Sequence, residues 1–193
     1  MKKWTGYEST EVMGDFRTLD TGAHKLNIIG AKIEERSGFE IFIVAFDITD
    51  GSGKGFYKEQ FENNTKANKK WMGTYDIFLP KDNGSEQDER NKKQLKAFIE
   101  IVEKNNAGFK WNWDNDELLA KSLKGKMFGG VFGQEEYVNG NGETKLSTKI
   151  RWACDINKLD SQKIPKLKKA NGGSNAIMSP MPNTEDDSEE LPF

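Results

Sequence analysis

The spacing of apolar residues between positions 23 and 50 predicts two β-strands, the first of which is interrupted. Leu26 and Ile28 alternate with polar neighbours, as residues of a half-buried strand do, and from Ile29 onward the alternation continues in the opposite phase. The change of phase lies beside Gly30, and a glycine at such a point is typical of a β-bulge or a sharp bend. A bent strand of this kind serves both ends of a small closed barrel.

Two further segments carry strand patterns. Residues 39–48 are apolar on both faces, so one face belongs to the core and the other is covered by a helix, a partner or a planar ligand. Residues 56–62 alternate again, with Tyr57 and Phe61 set between polar side chains such as Lys58. We therefore predict the third strand at 56–62.

An amphipathic helix follows a long connection at residues 63–84, and loops of that length are usually functional or disordered. Ser85 is a typical N-cap, and acidic residues follow it in the first turn. The helical spacing is carried by Leu95, Phe98, Ile99 and Val102. Asn105, Asn106 and Gly108 predict its end.

The last regular element is a β-hairpin. Residues 124–138 and 143–156 flank the turn sequence Asn-Gly-Asn-Gly at 139–142. Alternation predicts one apolar face, with Leu146, Thr148, Ile150 and Trp152, and one basic face, with Lys145, Ser147, Lys149 and Arg151. Three strands, a long helix and two strands are the order of an oligonucleotide-binding (OB) barrel, so we predict a mainly β, five-stranded OB-like barrel.

Composition limits the number of domains. The chain has 193 residues, and its 12 Phe, 5 Trp and 4 Tyr supply enough bulk for one core. No Lys or Arg follows Lys169, whereas five acidic residues do, so residues 1–169 carry 29 − 26 = +3 and the remainder carries −5. We predict an N-terminal arm (1–22), the OB-like domain (23–160), a flexible linker (161–184) and an acidic tip (185–193), with residues 170–193 disordered.

Several functional classes are disfavoured. One cysteine, Cys154, excludes an intramolecular disulfide, and one histidine, His24, leaves too few ligands for a zinc site and lies in an apolar stretch unsuited to a catalytic triad. No apolar run approaches the roughly 18–20 residues of a membrane span. We therefore expect a cytoplasmic protein with no membrane association, no metal, no cofactor and no enzymatic activity.

One catalytic alternative stays open. Asp114, Asp116 and Glu117 are close enough in sequence to form a divalent-metal site for nuclease chemistry. An acidic first turn of a helix is the ordinary interpretation of such a cluster, and we prefer it.

Rings and cations alternate along the chain, which is the combination that binds single-stranded nucleic acid through base stacking and phosphate contacts. The candidate binding residues are Tyr57, Lys58, Phe61, Lys69, Lys70, Trp71, Lys126, Phe128, Phe132, Lys149 and Arg151. Phe128 and Phe132 are favoured because the neighbouring glycines leave room for a base. The alternative for each ring is a place in the core, and Trp111 with Trp113 is an equally good candidate for a lid over the barrel.

Residues 184–193 combine an acidic run with an apolar end. Carboxylates attract a basic partner surface, and the final phenyl ring suits a pocket flanked by Arg or Lys. The candidate partner-binding residues are Asp186, Asp187, Glu189, Glu190, Leu191, Pro192 and Phe193. A solubilising acidic tail is the alternative, but it does not explain the apolar end.

The tip resembles that of bacterial and bacteriophage single-stranded DNA-binding proteins, whose tails end in an acidic stretch followed by Ile/Leu-Pro-Phe. The body is similar to a prophage-encoded family at residues 45–48, 57–63, 68–71, 108–111 and 125–133. The resemblance implies an OB-like fold, single-stranded DNA binding in phage replication or recombination in a bacterial host, and a tip that recruits replication and recombination proteins. The enlarged 63–84 loop and helix depart from the cellular proteins, so the oligomeric state stays open.

The competing function is a protein-interaction adaptor of the replication machinery, in which the barrel binds protein and the tail is a docking peptide. Quenching of tryptophan fluorescence by oligo(dT) separates the two functions, because stacked bases quench indole emission.

Overall fold

The computed structural model describes residue 5 and residues 17–170, which contain a five-stranded sheet and several helices. In chain order the elements are β1 (Gly22–Arg36), β2 (Phe39–Ile48), α1 (Phe56–Glu62), β3 (Thr74–Phe78), α2 (Glu86–Asn105), α3 (Asp116–Leu123), β4 (Met127–Val138), β5 (Thr144–Cys154) and a 3₁₀ helix (Ile156–Ser161). The predicted tip lies outside the described residues, as does most of the predicted N-terminal arm.

The strands form one antiparallel open sheet in the order β3-β2-β1-β4-β5. The prediction of a mainly β protein with five strands and a long helix between the third and fourth is confirmed. Closure into a barrel is not shown by the pairing within residues 17–170, where β3 and β5 are the two edges. Helix α2 contacts both of these edge strands.

The third strand was predicted in the wrong place, because residues 56–62 form helix α1. The Asp47 carboxylate accepts the backbone N–H groups of Tyr57 at 3.1 Å and Lys58 at 3.3 Å, which satisfies amides that the first helical turn leaves without a partner. Tyr57 and Phe61 are four residues apart, a spacing that also fits one helix face. The third strand is formed instead by residues 74–78, inside the predicted loop.

Bulges change the phase of two strands. In β1, Ile28 lies opposite Phe46 and Gly30 lies opposite Ala45, so Ile29 is the extra residue and the predicted break is confirmed. In β5 the register shifts so that Arg151 is the extra residue, a feature that alternation did not predict. Its consequence is that Ile150 and Ala153 pack against the core, whereas the sequence had placed Ile150 and Trp152 on one face.

The core lies between the inner face of the sheet and α2. Phe46, Phe98 and Phe128 are fully buried, with ring centroids 5.9 Å apart for Phe46 and Phe128 and 5.4 Å apart for Phe98 and Phe128. Edge-to-face ring pairs of this kind add roughly 0.5–1.5 kcal/mol each beyond the area that they bury. The aromatic composition therefore serves, in large part, to fill the space between sheet and helix.

Side chains fix both ends of α2. Ser85 caps its start by accepting the Asp88 N–H at 3.2 Å, as predicted. At the other end the Asn106 amide donates to the Met127 carbonyl at 2.8 Å and accepts the Met127 N–H at 2.8 Å. The end of the helix is thereby joined to the first residue of β4.

Gly73, just before β3, has no room for a side chain. A Cβ atom there would lie 2.5 Å from the Phe46 carbonyl oxygen and 2.7 Å from the Tyr57 ring. We expect Gly73→Ala to lower the free energy of unfolding by about 1–3 kcal/mol, measured by urea denaturation. Gly30→Ala is the control, because a Cβ at Gly30 meets nothing within 4 Å. Equal losses in the two variants would contradict the steric explanation.

None of the helices that the structure describes is both long and apolar enough to cross a membrane. Residues 161–170, which the sequence assigned to the start of the linker, are described and continue from the 3₁₀ helix along β4, where Lys168 forms a parallel bridge with Glu135.

Candidate nucleic-acid interface

Three of the rings predicted to stack on bases belong to the core. Phe128 and Phe132 are 0% exposed and Tyr57 is 6% exposed. Burial also raises the pKa of the Tyr57 hydroxyl above its ordinary value, with a smaller contribution from Asp47. These rings offer no free face to a base, and we remove them from the candidate interface.

The glycines beside Phe128 and Phe132 make room for protein rather than for a ligand. A Cβ at Gly130 would meet Leu26 at 2.5 Å and Ile150 at 2.8 Å. A Cβ at Gly129 would meet the Cys154 sulfur at 2.7 Å, and one at Gly133 would meet Pro165 at 2.8 Å. The glycine pattern thus reflects close packing on both faces of β4.

Three other predicted residues do come together, and we call Phe61, Lys69 and Trp71 the ring patch. The Phe61 and Trp71 ring centroids are 5.7 Å apart with a 45° tilt, and the Lys69 ammonium lies 4.5 Å from the Phe61 centroid. Both rings are partly buried, so each retains accessible surface. A cation over a ring beside a second ring is the combination that stacking and phosphate contact require.

Trp71 is held by its backbone neighbours. Its indole N–H donates to the Phe46 carbonyl at 3.0 Å and to the Gly73 carbonyl at 3.2 Å. Phe46 belongs to β2, and its N–H donates to the Gly73 carbonyl at 2.8 Å just before β3, so the edge of the sheet sets the orientation of this ring. Lys58 on α1 precedes Phe61 by three residues, Lys70 lies between Lys69 and Trp71 in the loop, and both lysines are exposed.

A second group of predicted residues lies on the β4–β5 hairpin. The register pairs Gly133 with Lys149, Glu135 with Ser147 and Tyr137 with Lys145, so these residues share a face, as predicted for the lysines. We call Glu135, Tyr137, Lys145, Lys149 and Arg151 the hairpin face.

One carboxylate on the hairpin face serves two cations. Glu135 forms ion pairs with Lys149 and, at 3.6 Å, with Arg151. The Arg151 guanidinium also donates to the Gln134 carbonyl at 2.9 Å. Lys145 pairs with Glu143 at the hairpin turn, at 3.3 Å. Lys149 and Arg151 together therefore carry more positive charge than Glu135 neutralises.

The last predicted cation, Lys126, lies between α3 and β4. Its ammonium is 5.4 Å from the centroid of Phe109, a buried ring. Lys126, the ring patch and the hairpin face belong to different elements, and their convergence on one groove stays a prediction.

Among the residues that the structure describes, two exposed rings were not predicted as binding residues. Trp113 is 72% exposed and Tyr137 is 44% exposed. Trp113 packs against Trp111 with ring centroids 6.2 Å apart, and Trp111 in turn contacts Phe42 at 5.6 Å. Trp111 thus covers the core, whereas Trp113 does not. Sequence spacing placed the two on one side and gave no means to tell them apart.

The outer face of β1–β3 has balanced charge. Glu34 pairs with Lys32 at 2.6 Å and with Arg36 at 3.2 Å, and Arg36 also reaches Asp76 at 3.4 Å. The hydrogen bond from Arg36 lowers the pKa of Glu34 to about 2, whereas burial raises the pKa of Asp76. Two cations and two carboxylates leave no excess charge for phosphates, so this face differs from the hairpin face.

The acidic residues of the nuclease alternative lie at the start of α3. Asn115 caps the helix by accepting the Leu118 N–H at 2.9 Å, and Asp116 and Glu117 occupy the first turn. Within residues 17–170, no group of three or more His, Cys, Asp or Glu side chains is placed to hold a metal ion. The structure gives this cluster the ordinary role of acidic residues at a helix start.

Comparison with known proteins yields no match to a protein-family model or to a curated protein. The fold and the surfaces therefore define the class on their own: a mainly β protein with a five-stranded antiparallel sheet, a ring patch beside that sheet and a basic hairpin face. The resemblance to single-stranded DNA-binding proteins stays a prediction.

Proposed function

We propose that this protein is a non-enzymatic single-stranded DNA-binding protein that acts in phage replication or recombination in the cytoplasm of a bacterial host. The ring patch is the observation that carries the proposal. Its three residues are among those that the sequence predicts to stack on bases or contact phosphates, and the Lys69 ammonium lies 4.5 Å from the centroid of Phe61, which pairs with Trp71. Under this proposal the five β-strands form an OB-like barrel whose loops and β-hairpin contact the single-stranded DNA.

The ring patch favours single strands over duplex. Rings that stack on bases need the flat face of an unpaired base, and in a duplex those faces are covered by neighbouring base pairs. The Trp71 N–H is already bonded to two carbonyl groups, so the indole presents a π-surface rather than a donor that selects one base. Binding is therefore expected to depend little on sequence.

The cations of the interface supply the electrostatic part of binding. Lys69 belongs to the ring patch, and Lys149 and Arg151 belong to the hairpin face. Lys58 and Lys70 are exposed and close to the ring patch in sequence, and Lys58 also pairs with Glu62 at 3.9 Å. Five phosphate contacts to a single strand give a slope of log affinity against log salt near −3 to −4, at about −0.7 per contact. The tip, residues 185–193, is proposed to recruit replication and recombination proteins.

The test is a titration of the full chain with oligo(dT), followed by tryptophan fluorescence at several salt concentrations. We expect quenching, a salt slope in the stated range and much weaker binding to duplex of the same length. Salt-independent affinity, or equal affinity for duplex, would defeat the proposal.

The adaptor function is the second candidate, and the exposure of Trp113 supports it. An indole that is 72% exposed and lies away from the ring patch in sequence is also a suitable anchor for a protein partner. An adaptor without DNA binding predicts no quenching in the same titration.

A further inference from the structure

The chain after the 3₁₀ helix is attached to the edge of β4, and we call residues 162–170 the strap. The Lys168 N–H donates to the Gln134 carbonyl at 3.1 Å, and the Glu136 N–H donates to the Lys168 carbonyl at 2.9 Å. The Ala170 N–H donates to the Glu136 carboxylate at 3.2 Å. These bonds fix the strap beside the part of β4 that β1 does not pair with.

The strap crosses the hairpin face at Gly133. A Cβ at Gly133 would lie 2.8 Å from the Pro165 side chain and 3.2 Å from the Arg151 guanidinium nitrogen Nε. The strap and Arg151 therefore both occupy the space that the glycine leaves. Lys168 follows Pro165 by three residues and is partly buried.

Lys168 lies beside Glu135, the carboxylate that Lys149 and Arg151 share, because a parallel bridge pairs Lys168 with Glu135 at the edge of β4. Its pKa is lowered by burial first, then by the positive charge of Arg151 and of Lys149, while Glu135 acts in the opposite direction. The cluster thus holds three cations and one carboxylate, drawn from β4, β5 and the strap. The outer face of β1–β3, by contrast, has balanced charge.

We propose that Lys168 completes, with Lys149 and Arg151, a phosphate-binding site for the phosphodiester backbone of a single strand. The proposal rests on the proposed function and adds to its hairpin contact a residue from outside the strands. Arg and Lys side chains in a partly buried cluster bind phosphate oxygens strongly, because charge-assisted hydrogen bonds replace mutual repulsion. Tyr137, exposed on the same face, supplies a ring for the attached base.

The test compares three variants of the full chain in the oligo(dT) titration. Glu135→Gln removes the competing carboxylate, and we expect several-fold tighter binding at low salt. Lys168→Gln removes one phosphate contact, so the salt slope becomes less negative by about 0.7. Lys169→Gln is the matched control, an exposed lysine one residue further along the strap, and it leaves the slope unchanged.

A thymine oligomer with a neutral peptide backbone identifies the phosphate as the group that is bound. Its affinity is expected to be the same for the parent chain and for Lys168→Gln. A gain of affinity in Glu135→Gln cannot arise from unfolding, so the proposal stays testable if Lys168→Gln folds poorly.

Two results overturn the inference while the proposed function stands: parent-like binding by both Glu135→Gln and Lys168→Gln, or equal effects of Lys168→Gln and Lys169→Gln. A parent chain that does not bind oligo(dT) at all overturns the proposed function and this inference together.

Discussion

Replacing Phe128 with alanine is expected to lower the free energy of unfolding by about 3–5 kcal/mol, the range for large-to-small changes in a core. The ring is 0% exposed and contacts Phe46 and Phe98 edge-to-face. Its removal leaves a cavity between the β-sheet and α2, and neither of them can easily move to fill it. Urea denaturation followed by circular dichroism measures the loss.

Phe61→Ala is the matched control for Phe128→Ala, since it also removes a phenylalanine ring, but from a partly buried position. We expect a clearly smaller loss of stability from it. The opposite pattern, in which Phe128→Ala keeps parent-like stability but loses oligo(dT) binding, would mean that the Phe128 ring is a binding residue after all.

The same Phe61→Ala variant is expected to weaken oligo(dT) binding by about 1–3 kcal/mol, or roughly 5- to 150-fold. Phe61 is the better probe of the ring patch because Trp71 also packs against the core, so that its loss would perturb the fold. Affinity is measured by anisotropy of a labelled oligonucleotide, which does not depend on the tryptophans.

Phe39→Ala is the control for binding, because Phe39, like Phe61, lies beside a second aromatic ring and a lysine ammonium. Phe39 contacts Phe78 with centroids 6.0 Å apart, and the Lys81 ammonium lies 4.2 Å from the Phe39 centroid. There the ammonium already donates to the Gly38 carbonyl, at 2.7 Å. Unchanged affinity in Phe61→Ala, or a larger loss in Phe39→Ala, would place the stacking surface elsewhere.

Local signals explain the elements that the sequence predicted. The Ser85 cap, the Asn-Gly-Asn-Gly turn and the bulge beside Gly30 each depend on residues that are adjacent in the chain. Helix α1 was missed because its first amides are capped by Asp47, about ten residues earlier on another element. Alternation over seven residues cannot distinguish that arrangement from a strand.

The candidate site was predictable where its parts are close in sequence. Phe61, Lys69 and Trp71 lie within eleven positions, and their proximity in the chain becomes proximity in space. Lys168 and Tyr137 were missed because pairing between strands brings them into the cluster: Lys168 lies opposite Glu135, and Tyr137 lies opposite Lys145. Phe128 and Phe132 were misassigned because a ring beside glycines fits both a ligand cleft and a tight core, and only packing decides between them.

The two carbonyl acceptors of the Trp71 indole have a thermodynamic consequence. A side chain that is mobile before association loses rotamer freedom when a ligand settles on it, at roughly 0.5–1.5 kcal/mol. Trp71 gives up that freedom when the chain folds, because rotating the indole would break its bonds to Phe46 and Gly73. Any flat ligand that stacks there meets a preorganised surface, and no part of its binding free energy is lost to the entropy of immobilising the ring.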